Sequence, residues 1–290
     1  MELLVKTYEV IDVYIGLFLV FSLMGFLSRG RTALKWSWDH LKSGLASLGV
    51  LYFNLFFGGI FLVLYVGVVN VYGALNVPTI PKHVWGTLPA PISWIALLLV
   101  YDICLYWVHR WLHGGWRWPM HAVHHSDTEL NFMSWSRGHA IEQGFIASAV
   151  LLGSSWLGLS FKDVAVLAMI KAFHQYYVHS NIDWDHGPLK KIIVSPQYHR
   201  WHHADKREAW DKNFASIFPF LDIIWGTYYY PHSAVNTPTG FEGTPRNDLV
   251  KLICYPFVEW YKMIQNHFAK KSMLSGHQDV YHKNPVSDRN

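Results

Sequence analysis

Long uncharged apolar runs alternate with short polar connections along most of this chain. Positions 13–28 carry no charged side chain between Asp12 and Arg29. With Val10 and Ile11 this run just reaches the roughly 20 residues that a membrane-crossing helix needs. Positions 43–81 hold no charge at all, enough for one span with slack that ends near Asn76, Pro78 and Pro81. A third run, 84–101, leads straight into Asp102 and His109. A fourth covers 143–161, and a fifth, 163–178, is interrupted by Lys171. Gly153, Ser154, Ser155 and Gly158 lie within or between these two, which predicts a helical hairpin, spanning or re-entrant. The core of a soluble protein supplies one such run. Four or five before residue 180 predict an all-α membrane protein with about four transmembrane helices, or two spans and the hairpin.

Beyond residue 203 the chain turns polar. Lys206, Arg207, Glu208, Asp211 and Lys212 read as a solvated run facing lipid headgroups. Trp210, Phe214, Phe218, Phe220, Trp225 and Tyr228–Tyr230 are expected to cover a site, to lie at the membrane interface, or simply to pack. Positions 249–271 predict one amphipathic helix, apolar at Leu249, Leu252, Ile253 and Val258 and basic at Lys262, Lys270 and Lys271. The last 15 or so residues look disordered, and His267, His277 and His282 read as surface residues. Three segments result: N-terminal spans over 1–90, a histidine-rich region over 91–232, and a helix with a polar tail over 233–290.

Composition sharpens this picture. The 290 residues are 51% hydrophobic, 17% aromatic and only 15% charged, with a mean hydropathy of +0.12. That points to a membrane rather than to the cytosol. A net charge of +4 is too slight and dispersed to argue for nucleic acid. Two cysteines, Cys104 and Cys254, give no disulfide framework. Glu2 and Lys6 with no small-residue cleavage site predict a retained anchor rather than a signal peptide. Arg29, Arg31, Lys35 and Lys42 crowd one connection, whereas 76–91 has only Lys82. The positive-inside rule puts 29–42 in the cytoplasm, so the third span returns there with His109 at its inner end.

Candidate chemistry lies on that side. His109 and His113 are spaced i, i+4. His121, His124 and His125 are spaced i, i+3, i+4, and His199, His202 and His203 repeat the pattern, with His179 between them. On a helix such spacings share a face, so each set can aim its imidazoles at one point. Any one of these histidines alone reads as a packed or surface residue; three sets do not. Neutral imidazole suits Fe, Zn, Cu and Ni. There are too many for one tetrahedral zinc and enough for two metals.

The full pattern is Asp102-x6-His109-Arg110-x2-His113, then His121-x2-His124-His125-Ser126, Asn131, Arg137-x-His139-x2-Glu142, His179-Ser180-Asn181 and Pro196-x2-His199-x2-His202-His203. With the later Asp222-x3-Gly226-Thr227, it resembles the fatty acid hydroxylase superfamily (the sterol desaturase family) over roughly 95–230. The resemblance implies an integral-membrane, multi-pass, non-haem oxygenase with two Fe ions in a helical cap on the cytoplasmic face. Such enzymes use O2 and external electrons to hydroxylate or desaturate the alkyl chain of a membrane lipid, sterol or fatty acid. Some members carry a fused haem domain with a His-Pro-Gly-Gly motif. That motif is absent here, so the expected electron donor is a separate protein of cytochrome b5 or ferredoxin type.

The resemblance carries nine metal ligands over to this chain: His109, His113, His121, His124, His125, His179, His199, His202 and His203. His139 is a tenth candidate, with a buried, hydrogen-bonded polar pair of His139 and Glu142 as the plainer reading. Glu142 is expected to orient a ligand histidine or to ligate directly. Asp102, two turns before His109, is expected to act beside the metals, with local pairing to Arg110 or Arg137 as the plainer reading. Asn131, Asn181 and Asp222 are weaker candidates for similar support. Arg137 and Arg200 read as partners of carboxylates or headgroups, and His174 as a packed histidine, with a ligand role as the alternative. Three other functions compete. A zinc hydrolase would want a carboxylate base as in H-E-x-x-H, which is absent. A metal transporter would line its ligands along the bilayer midplane. A haem carrier would set single histidines on facing spans.

Overall fold

The structure, a computed structural model, describes residues 2–32, 41–128, 130–234 and 237–282. Among the described residues, eight helices of seven residues or more organise it. The first, α1 (Glu2–Arg29), ends at Gly30, whose φ of +65° lets the chain turn away. The run read as one span is two helices, α2 (Leu41–Leu55) and α3 (Gly58–Ala74), separated at Phe56–Phe57. Absence of charge cannot reveal such a break. The glycine pair Gly58–Gly59 beside it, weak in helix propensity, is its local cause. Next come α4 (Ala90–Leu112), α5 (Ala140–Trp156), α6 (Phe161–His179), α7 (Pro196–His202) and α8 (Leu249–His282). No strand occurs among the described residues beyond one isolated bridge, Ala204 to Thr239.

Local chemistry explains where the helices begin. Pro91 opens α4 and Pro196 opens α7, each in the first turn where a missing N–H is harmless. Ser160 and Asp163 form a reciprocal capping box on α6. The α5–α6 hairpin turns at Gly158, with φ +68°. A Cβ there would lie 2.2 Å from the carbonyl oxygen of Ile80, so the turn admits only glycine.

Among the described residues, α4 alone is long and apolar enough to cross a membrane by itself. The apolar part of α1, Ile15–Arg29, is shorter. Leu19, Leu23 and Leu27 nevertheless form an exposed stripe along α1, and Val63, Met169 and Phe173 are exposed on α3 and α6. Among the described residues much of this apolar surface is left uncovered.

The core lies where α4 meets α3, α5 and α6. Leu97, Tyr101 and Leu105 pack with Val150, Leu151 and Leu167. A second cluster joins Tyr106 to Val178, Tyr198, Phe214 and Leu221. The buried Arg137 ties the outer segments to this core. Its guanidinium donates to Ser43 O (2.8 Å), Ser47 Oγ (3.1 Å) and Arg246 O (2.7 Å), and it pairs with Asp127 at 3.5 Å. Helix α2 and the segment before α8 thus converge on one side chain. Helix α8 continues to His282, so 276–282 is helical rather than disordered; 283–290 and the side chains of His277 and His282 lie outside the described residues. His267 is exposed, as expected.

Candidate metal centre

Helix ends and one turn deliver the histidines. His109 comes from the last turn of α4 and His113 is its C-cap. His121 sits in the short helix Trp118–Ala122, and His124 and His125 in the turn that follows. His179 is the last residue of α6, while His199 and His202 lie on α7 and His203 caps it. The structure brings these nine together as two adjoining groups. His109, His113, His121, His125 and His202 form one; His124, His179, His199 and His203 form the other. Within each group the potential ligand atoms lie within 4.8 Å of one another. The neighbours His124 and His125 point to different groups, which is how one turn serves both.

The nitrogens facing inward are Nε2. His121 Nε2 stands 3.0 Å from His109 Nε2 and 3.1 Å from His125 Nε2. In the other group His179 Nε2 stands 3.2 Å from His124 Nε2 and 3.0 Å from His199 Nε2, which is 3.1 Å from His203 Nε2. Nδ1 faces outward in five of the nine. His109 Nδ1 donates to Phe214 O (2.9 Å), His179 Nδ1 to Gln175 O (2.7 Å) and His202 Nδ1 to Lys212 O (2.7 Å). A carbonyl only accepts, so each of these imidazoles carries its proton on Nδ1 and keeps a lone pair on Nε2. His121 Nδ1 meets Glu142 Oε1 at 2.9 Å, and His113 Nδ1 meets Asp211 Oδ1 at 3.2 Å.

These residues fit metal ions. The Nε2 atoms of His109 and His121 turn lone pairs on each other at 3.0 Å, an arrangement a shared cation relieves. Nitrogens each about 2.1 Å from one ion stand about 3.0 Å apart at a right angle. The buried Nε2 atoms of His113 and His202 have no hydrogen-bond partner, which buried polar atoms rarely tolerate. Burial, reinforced by the neighbouring imidazoles, holds His121, His124, His125, His199 and His203 well below the ordinary histidine range. Burial alone takes His202 down to about 4. At neutral pH these side chains are neutral and ready to ligate.

Several expected roles change. His139 belongs to neither group. Its Nδ1 accepts from Ile141 N (3.2 Å) and its Nε2 meets Ile253 O at 3.1 Å. Both nitrogens are engaged in capping α5 and docking α8, so a tenth ligand here gives way to a structural role. Glu142 closes that cap by accepting from His139 N (3.2 Å) while its other oxygen holds His121. Asp102 pairs with neither arginine and touches no histidine. It is fully buried and accepts from the amides of Ser216 (2.9 Å), Ile217 (3.0 Å) and Phe218 (2.8 Å). It latches the loop whose Phe214 carbonyl holds His109. Asp222 latches the same loop from the amides of Phe214 and Ala215, at 2.8 and 2.9 Å. Asn131 caps the turn Phe132–Arg137. Asn181 accepts from Arg29, and Arg29 and Arg200 both pair with Asp183, at 2.9 and 3.2 Å. His174 stays apart, its ring nitrogens buried without partners.

Of the aromatic residues downstream, Phe214 packs on the rings of His109 and His113 at 5.5 and 4.9 Å. Phe218, Phe220, Trp225, Tyr228 and Tyr230 pack around Tyr198 and Leu221, and Tyr229 against Trp201. Trp210 lines a cavity of about 270 Å³ with Trp118 and Phe241, next to His113, His125 and His202. A second, narrow cavity of about 30 Å³ opens on the apolar side of the histidines, between Leu105, Ile146, Trp135 and Lys171. Trp135 also walls an outer groove of about 290 Å³ lined by Leu51, Leu55 and Tyr176. Sequence reasoning missed Asp211, which stood in a run read as solvated, and the carbonyls of Phe214, Gln175 and Lys212, which carry no sequence signal.

A family model described as fatty acid hydroxylase matches residues 94–227. The chain is 29% identical over 183 residues to an alkylglycerol monooxygenase of Homo sapiens, covering 60% of this chain and 37% of that protein. It is 27% identical over 178 residues to an ornithine lipid hydroxylase of Rhizobium tropici, covering 61% and 54%. It is 29% identical over 153 residues to a methylsterol monooxygenase of Arabidopsis thaliana, covering 48% and 50%. The chain therefore spans about half the length of these relatives, or less. No solved structure matches it. Residues 94–227, which contain all nine converging histidines, match a fatty acid hydroxylase domain, and the monooxygenase and hydroxylase relatives are consistent with the fatty acid hydroxylase/sterol desaturase superfamily.

Proposed function

We propose that this protein is a membrane-bound monooxygenase that hydroxylates or desaturates an alkyl chain of a lipid, with one iron held by each histidine group. Hydroxylation balances as R–H + O2 + two electrons + two protons → R–OH + H2O. Desaturation takes the same inputs and gives an alkene and two waters. When bound, the metal pair would supply O2 reduction and the power to break an aliphatic C–H bond. The observation that carries the reading is the convergence of nine histidines, seven buried and two half-buried, as two adjoining groups with their Nε2 atoms turned inward.

The chain's own residues supply orientation and shelter. Phe214 O, Gln175 O and Lys212 O hold three imidazoles in the Nδ1–H form, and Glu142 and Asp211 hold two more. Asp102 and Asp222 keep the 214–218 loop in place. Phe214 and Trp118 shield the rings from water. The named relatives act on an alkylglycerol, an ornithine lipid and a methylsterol. What those molecules share is aliphatic C–H on an amphiphile. The exposed apolar stripes of α1, α3 and α6 support a membrane setting, and loop charge favours a site on the cytoplasmic face. Two electrons come from a separate donor protein of cytochrome b5 or ferredoxin type.

The test is oxygen incorporation. Full-length protein, loaded anaerobically with iron, reduced and given membrane lipids under 18O2, should yield a lipid alcohol carrying the label or a new alkene. If the loaded, reduced protein consumes no O2 and changes no lipid, the oxygenase reading fails.

A further inference from the structure

Helix α6 carries one charge in its interior, Lys171, between outward-facing apolar neighbours. Met169 is 71% exposed and Phe173 56%, whereas Lys171 is only 6% exposed. Lysines near an apolar surface normally extend their ammonium towards water. This one turns inward, onto the face it shares with Gln175 and His179. Its Nζ lies 3.6 Å over the ring of Trp135. Among the described residues no carboxylate stands within ion-pair distance of it. Glu142, which lines the same cavity, directs one oxygen to His121 Nδ1 and the other to His139 N. An unpaired buried ammonium is expensive, and inside a membrane protein such a group marks function.

What the ammonium faces is the narrow cavity on the apolar side of the histidines, which Lys171 lines together with Glu142, His109 and His124. We infer that Lys171 anchors an acceptor oxygen of the substrate's own chain, beside the carbon that is oxidised. An ammonium has three N–H donors and no acceptor. The ring of Trp135 engages one direction, and the remaining N–H groups want oxygen. The cavity is narrow, about 30 Å³, which disfavours a bulky phosphate headgroup. The oxygen is therefore a slender one, an ether or a carboxylate on a linear chain. Beyond Trp135 the groove between α2, α5 and α6 offers about 290 Å³ of largely apolar space for the rest of that chain. A cationic amine end is repelled from the inner cavity.

This inference rests on the hydroxylase reading for the reaction, yet its test reads binding. Radiolabelled palmitate, 1-O-hexadecylglycerol and hexadecane serve as probes for full-length, iron-loaded protein in detergent. Wild type should prefer an oxygen-bearing probe over hexadecane. K171M should lose about tenfold or more of that affinity, the worth of one hydrogen bond to a charged group. K171R should recover most of it, and hexadecane binding should not change. Preference for palmitate assigns a carboxylate, and preference for the glycerol ether assigns an ether. The inference is overturned if wild type shows no preference, if K171M binds every probe like wild type, or if it loses hexadecane equally. Iron content and O2 uptake of the same samples report the hydroxylase reading separately, and K171Q gives a second neutral variant with a polar end.

Discussion

Individual side chains divide into those that aim imidazoles and those that hold the scaffold. Glu142 does both, bonding His121 Nδ1 at 2.9 Å and closing the α5 cap at 3.2 Å. Removing the partner of a ligand histidine typically weakens metal affinity by about 10- to 100-fold. E142A should show that loss in metal titration, and E142Q, which keeps hydrogen-bonding capacity, should show a smaller one. His139 serves only the scaffold. H139A should lower stability by about 1 kcal/mol, the usual worth of a helix cap, in thermal denaturation, with metal content unchanged. The two variants separate roles that the pattern Arg137-x-His139-x2-Glu142 leaves merged. That pattern is a capping box written with a histidine, and the same three-residue spacing that suggests a ligand pair also describes a cap. Asp102 was legible as a carboxylate needing partners in an apolar helix. Its partners were not, because they are backbone amides 114–116 residues further on.

Among the elements, periodicity located the α5–α6 hairpin and the course of α4 into His109, since both depend on local apolar runs. It did not locate the break between α2 and α3, because uncharged sequence is silent about where a helix stops. The hairpin turn offers a sharp test. At Gly158 the backbone has φ +68° and a Cβ would meet Ile80 O at 2.2 Å. Both the conformation and the contact oppose a side chain, so G158A should destabilise by more than about 1 kcal/mol. The loss should appear in the melting temperature of the purified protein, with iron content of the folded fraction preserved, because the turn lies at the far end of α6 from His179. Helix α7 works differently. Its seven residues are too few to be stable alone, and burial of Tyr198 and Trp201 holds its three histidines in register.

At the scale of the whole molecule, the centre is assembled from segments scattered over 95 positions, and nothing local dictates how nine histidines divide. The spacings show that sets share faces, not which face meets which. In the structure the division crosses the sequence sets. His121 and His125 join His109, His113 and His202, while His124 joins His179, His199 and His203. The second and third sets of the sequence each divide between the two groups, a fact that only tertiary packing supplies. The central claim is that each group holds its own ion. Metal content per chain, measured by mass spectrometry on full-length protein loaded with iron without oxygen, tests it most directly. The account predicts about two irons per chain for wild type and about one for H203A, whose loss leaves the five-histidine group intact. One ion or none in wild type after anaerobic loading, or a single zinc that iron does not replace, would contradict it.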